Sequence, residues 1–294
     1  MSLPVLREIR AALRNLNPGH VKALAERPVQ FGILALDEYA CSRMMDFLVP
    51  EGLSPAKARG AGRSVIRMAS EADFARCDCG FSESGLPHPE HFYRFDESRP
   101  RSAVELLLDD HEDLWIPLAR TFLNFREPVI QRIILKISKE NALFTLATAL
   151  PNFVPSLISA PWAVGEFASD SAFLTMNQVR MAFLIGAASD RDVGYGGQRG
   201  QIGAIISAAF GWRAIARELV SKVPAGGGLV TKGLIAFAGT YAVGAGLERY
   251  MRLGRKLSRA EKKDLYRQAY ERGRATVTEM VERLTGRFSR VPAA

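Results

Sequence analysis

Between Lys222 and Gly246 the chain reads KVPAGGGLVTKGLIAFAGTYAVGAG. Its glycines are open to three readings: a phosphate cradle, a helix-packing surface, or a membrane segment. A phosphate loop of the Walker type requires GxxxxGK followed by Ser or Thr, after a strand and before a helix, so that backbone N–H groups and the lysine converge on the anion. Here Gly226, Gly227 and Gly228 lead to Thr231-Lys232, in inverted order and with no strand upstream. As a helix, GLIAFAGTYAVGAGL makes better sense. Small residues recur every fourth position along Ala236, Thr240 and Gly244, and again along Ala238, Ala242 and Gly246, a pattern that lets two helix backbones approach closely. The segment with Pro224, Gly226, Gly227 and Gly228 then serves as a hinge. Soluble cores and bilayers both use such helices, so the pattern alone leaves lipid and protein open as neighbours.

The surroundings are apolar as well. No charged side chain occurs in the 25 residues from Asn141 to Gly165, but Pro151, Pro155 and Pro161 break that run into two shorter helices bent at PNFVP. The Gly233–Leu247 run is only about 22 Å long as a helix, short for a hydrocarbon core of about 30 Å. Two apolar helical hairpins, around Pro151 and around Gly226 to Gly228, are therefore expected. They either touch a bilayer or form the core of a helical domain.

Upstream the pattern changes. VQFGILAL (Val29–Leu36) reads as a buried strand and DEYACSRMMDFLV as a helix with Tyr39, Met44, Phe47 and Leu48 turned inward. SVIRMA (Ser64–Ala69), preceded by a glycine-rich loop ending in RGAGR, and HFYRFDE (His91–Glu97) read as further strands, with residues 73–100 otherwise loop. The turn after the first strand carries Asp37 and Glu38 where a nucleotide's phosphates would sit, and has neither the glycines nor the lysine of a phosphate loop. From Arg101 helical spacing runs through SAVELLLDDHEDLWIPLARTFLNF and EPVIQRIILKISKENALFTLATAL. The expected fold is mainly α, a helical domain with a small α/β N-terminal portion. The expected boundaries are 1–100 for the α/β region, 101–252 for the helical domain and 253–294 for a basic helical tail.

Composition limits the functions. The chain has 294 residues, 48% hydrophobic and 24% charged, enough for a sizeable core. Its three cysteines, Cys41, Cys77 and Cys79, make no disulfide framework and point to a reducing compartment. The opening MSLPVLREIRAALRNLN carries arginines where a signal peptide would need its apolar centre. From Arg249 onward there are 13 Lys and Arg against 5 Asp and Glu, an excess equal to the +8 of the whole chain. Arg249, Arg252, Arg255 and Lys256 open this basic stretch, where they would meet anionic lipid headgroups or an acidic partner on the cytoplasmic side. No recognised nucleic-acid-binding motif accompanies the charge, so no specific nucleic acid is expected.

Two clusters suggest chemistry. Cys77, Cys79, His88 and His91 fall within 15 positions and could complete a tetrahedral zinc shell, although C-x-C is tighter than the usual C-x2-C. The acidic run DDHED (Asp109–Asp113) reads as a solvated helix face, because His111 points away from the face that Asp109 and Asp113 share. Neither Gly-x-Ser-x-Gly nor His-Glu-x-x-His occurs, and no catalytic triad is nominated. No catalytic residue is assigned.

Three landmarks between about Ile133 and Met251 carry a family resemblance: ISKENALFTLATALPNFVPSL, MNQVRMAFLIGAASDRDVG, and AAFGWRAIARELVSKVPAGGGLVTKGLIAFAGTYAVGAGLERY. In this order they resemble a bacterial family of unknown function, domain family six-nine-seven, which includes the YcjF-type inner-membrane proteins and is often fused or adjacent to GTPases. The resemblance implies a helical module at the cytoplasmic membrane working beside a GTPase, with no established catalytic residues. Unlike the fused members, this chain has no GTPase motifs, and its first 100 residues are either a nucleotide-free remnant or an unrelated α/β cap. The expected function is a non-enzymatic, membrane-associated accessory protein. The alternatives are a soluble helical adaptor docking on a GTPase or other partner and, third, a metal-dependent enzyme built on the Cys/His or DDHED cluster.

Overall fold

The computed structural model describes residues 16–150, 170–203, 228–255 and 257–288. The chain is mainly helical, with a small parallel sheet in its N-terminal part. It divides into two compact units: residues 19–131 with 186–192, and residues 1–18, 132–185 and 193–294.

The first unit contains the sheet. Its elements are α1 (Gly19–Glu26), β1 (Phe31–Leu34), α2 (Glu38–Leu48), α3 (Pro55–Arg63), β2 (Val65–Arg67), β3 (Cys79–Ser82), β4 (Phe92–Arg94), α4 (Pro100–Asp110), α5 (Trp115–Thr121) and the start of α6 (Leu123–Thr148). The strand order is β2-β1-β3-β4, with every pair parallel. Ile33 pairs with Phe81 and Phe81 with Tyr93, which puts these residues on one face of the sheet. The rings of Phe31, Phe81, Phe122 and Phe125 meet there, with Phe31 and Phe81 centroids 4.8 Å apart. Gly32 and Gly80 lie side by side on the other face, and a Cβ on either would come within 3.0 Å of the Phe92 ring. Phe92 thus covers that face of the sheet because two neighbouring strands lack side chains.

Several local expectations change. β3 lies in the stretch read as loop, since CGFS is too short and glycine-rich to show a strand pattern; pairing on both edges makes it one. Helix α3 replaces the glycine-rich loop: Ser54 precedes it, Pro55 opens it, Ala61 is buried, and Gly60 and Gly62 face open space. Tyr39 is 69% exposed, not inward; the buried stripe of α2 is Cys41, Met44 and Leu48. The division falls between Gln131 and Arg132, inside α6, and not near Pro100. Helices α4, α5 and the first turns of α6 belong to the sheet's unit, as Phe122 and Phe125 show.

The second unit holds the rest of α6, most of α7 (Asp170–Ala188), α8 (Leu229–Leu253) and α9 (Arg259–Phe288). Gly254, in the left-handed region at φ 71°, ends α8 and turns the chain back. Helix α9 then runs antiparallel along α8. The Cα of Gly233 faces Val277, Phe237 lies against Gly273, and Arg272 donates to Tyr241 Oη at 2.8 Å. Tyr266, Ala269, Val277 and Leu284 form the buried edge of α9. The described part of the expected basic tail is therefore a packed helix, with Arg272 engaged at the seam with α8 and most of its other described charges exposed. The bend at PNFVP and the hinge residues Pro224, Gly226 and Gly227 lie outside the described residues, as does Lys256.

Candidate functional site

Helix α8 supplies the centre of the site. Ala236, Thr240 and Gly244 are all buried, as the four-residue spacing predicts. The apolar run of 151–165, expected as its neighbour, lies outside the described residues; the described neighbours come from α6 and α7. A Cβ on Gly244 would stand 2.8 Å from both Ile134 Cγ1 of α6 and Met181 Sδ of α7. The glycine thus lets three helices converge at one level.

One turn back, the same row meets a polar seam. Asn141 Nδ2 donates to Thr240 Oγ1 at 2.8 Å, and Asn177 Nδ2 donates to Asn141 Oδ1 at 2.9 Å. Thr240, Asn141 and Asn177 are fully buried. At the seam's edge, Arg180 donates to Glu140 Oε2 at 2.8 Å, with the two side chains 15% and 22% exposed. Asn177 reaches the same carboxylate oxygen at 3.4 Å. The seam links α6, α7 and α8 through directional bonds, and buried polar groups of this kind fix register because a slipped helix would leave them unpaired. Thr145 Oγ1 on α6 and Gln178 Oε1 on α7 are buried without a hydrogen-bond partner among the described residues. Chemically the seam offers recognition and register: among the described residues its one carboxylate, Glu140, is held by Arg180 and Asn177.

Glu140, Asn141, Asn177 and Arg180 were not nominated from the sequence. Their signal was present as polar side chains inside apolar helices, in KENALF and MNQVRM, but which polar residues converge depends on helix rotation.

The other nominated residues are dispersed. Gly228 is the N-cap of α8, extended at φ −70° and ψ 177°, so glycine's left-handed freedom is not used there. The opening arginines of the basic stretch are engaged within the chain. Arg252 pairs with Glu248 at 2.8 Å, Arg255 takes both oxygens of Glu261 at 2.8 and 3.0 Å, and Arg249 approaches Glu261 at 3.8 Å. Arg255 and the Ser258 cap hold the Glu261 carboxyl down at about 2. These pairs reduce the free positive charge that the composition promised at this point.

Cys77, Cys79, His88 and His91 are not brought into one shell, and among the described residues no three His, Cys, Asp or Glu side chains are placed to share a metal ion. Cys79 is fully buried in β3, Cys77 Sγ donates to Asp73 O at 3.6 Å, His91 Nε2 lies 3.4 Å from Phe74 O, and His88 Nδ1 lies 3.0 Å from Pro89 O. Burial pushes the Cys77 thiol up to about 11 and raises Cys79 as well. The acidic run is divided too: Asp110 accepts from Tyr93 Oη at 2.8 Å, and Asp113 pairs with Arg27 at 2.9 Å.

Helix α8 is long and apolar enough to cross a membrane, and 56% of its most apolar window of 18 residues is buried. Comparison with family models, with curated proteins and with solved structures gives no match.

Proposed function

We propose that this protein is a non-enzymatic helical adaptor that docks on a GTPase or another protein partner at the cytoplasmic face of the membrane, with α8 serving as a protein-packed core helix. The packing of α9 along α8 carries this reading. Opposite the α8 stretch from Gly233 to Leu247, α9 bears Lys263, Asp264, Arg267, Glu271, Arg272 and Arg274. At roughly 2.5–3.5 kcal/mol per charge at the centre of a bilayer, drawing this docked pair into hydrocarbon would cost about 15–20 kcal/mol. An α9 that stays docked keeps α8 out of the hydrocarbon. The resemblance over residues 133–251 supports the class of partner, and the basic excess beyond residue 249 supports attraction to an anionic surface.

Fractionation of cells producing the full chain tests it. The protein is expected in the membrane pellet at low salt, and in the supernatant after high-salt or alkaline carbonate washing without detergent. Retention in the pellet through both washes would show that α8 is a lipid-embedded span and overturn the reading. Failure of a GTPase encoded beside it to co-elute with the purified protein would remove that partner while leaving the adaptor's packing intact.

A further inference from the structure

The first unit holds a cluster of cations that its own carboxylates do not balance. Lys57 of α3 and Arg120 of α5 both reach Asp190, in the turn after α7, at 3.1 and 3.4 Å. Arg126 of α6 stands beside them and donates its Nε to Ala188 O at 3.1 Å. Its two terminal nitrogens have no protein acceptor among the described residues. Among the described residues Asp190 is the only carboxylate paired with this group, so three cations stand against one anion.

Burial and its own helix's dipole both count against the charge of Arg126. It is half-buried, and burial lowers its pKa more than the Asp190 charge restores it. It also lies in the first turn of the 26-residue α6, where the positive end of the helix dipole repels a cation. Arg120, in the last turn of α5, has the favourable placement. Asp190 holds the turn at φ 56°, a conformation uncommon for any residue but glycine, asparagine or aspartate. Its carboxylate lies on the Lys57 and Arg120 side of the cluster.

We propose that Lys57, Arg120 and Arg126 form a binding site for a phosphate monoester. A planar guanidinium with both terminal nitrogens unengaged presents a fork to two phosphate oxygens. The excess of two positive charges matches the charge of about −1.5 to −2 that such a group carries near neutral pH. A single carboxylate ligand would leave part of that excess unbalanced, so the dianion is the better fit. The phosphate is either that of a small soluble ester or the headgroup of a lipid such as phosphatidic acid.

The full chain is titrated with inorganic phosphate at constant ionic strength, and separately with vesicles of phosphatidylcholine with and without phosphatidic acid. Wild type is expected to bind phosphate saturably, and Arg126→Met to weaken it about ten- to hundredfold, the range for losing charged hydrogen bonds. Arg126→Lys keeps the charge without the fork and is expected to weaken binding less. Asp190→Asn removes the competing carboxylate and is expected to tighten it. Vesicle binding that depends on phosphatidic acid and falls in Arg126→Met identifies the lipid source; phosphate binding without it identifies a soluble ester. The proposal is overturned if neither ligand binds, or if Arg126→Met and Arg126→Lys both bind like wild type.

Discussion

Glycines in α8 that look alike in the sequence should respond in opposite ways to the same substitution. At Gly239 an added Cβ meets nothing within 4 Å among the described residues, whereas at Gly244 it would press on Ile134 Cγ1 and Met181 Sδ at 2.8 Å and on Ile134 Cγ2 at 3.0 Å. Replacing glycine with alanine inside a helix stabilises by about 0.8–1.0 kcal/mol through propensity alone. Gly239→Ala is expected to show that gain undiminished. Gly244→Ala gains the same amount but overpacks the junction of three helices, at a cost of about 1–3 kcal/mol. The difference between the two variants, in which propensity cancels, should be about 1–3 kcal/mol in favour of Gly239→Ala. Urea unfolding followed by far-UV circular dichroism measures it, provided that the slope with denaturant is unchanged. Equal stabilisation by both variants would refute the close approach of α6 and α7 to Gly244, and with it the role assigned to the small-residue row.

Thr240→Val keeps the side chain's shape but removes the oxygen that accepts from Asn141; a loss of about 1–3 kcal/mol is expected for the orphaned amide, with Thr240→Ser losing less, and a neutral Thr240→Val would sink the seam. Glu261 is held down at about 2 in the folded chain, against about 4.3 for an unperturbed glutamate. The stability it contributes is present above the unfolded value and is lost as pH falls from about 4.3 through about 2. Comparing acid unfolding of wild type and Glu261→Gln over that window should show the variant lacking this part of the pH dependence. Cys77, with its thiol pushed up to about 11, should alkylate with iodoacetamide at pH 8 far more slowly in the folded chain than in urea. Mass spectrometry that finds equal rates would contradict its burial.

Periodicity made much of the helical unit legible. Ala236, Thr240 and Gly244 could be put on one face of a helix without coordinates because helix geometry alone places residues four apart in line. The same local logic identified β1, and the N-cap Asp37 accepts from Ala40 N at 2.7 Å as a helix start requires. β3 was not legible, because its four residues become a strand only between β1 and β4. The helix α9 was legible as a helix but not as a cover for α8: its buried edge is spread thinly over Tyr266, Ala269, Gly273 and Val277 among many charges. Charge counting exposed the basic excess beyond residue 249, yet not that Arg252 and Arg255 pair with Glu248 and Glu261.

Taken alone, the sequence determined the fold class and the face on which α8 is built to pack. Each rests on spacing along one segment. The tertiary structure decided what covers that face, that Asn141, Asn177 and Thr240 share one seam, and that Lys57, Arg120 and Arg126 surround Asp190. Those facts depend on the rotation and approach of elements far apart in the chain, and side-chain order along a helix carries no information about which partner its buried face will meet.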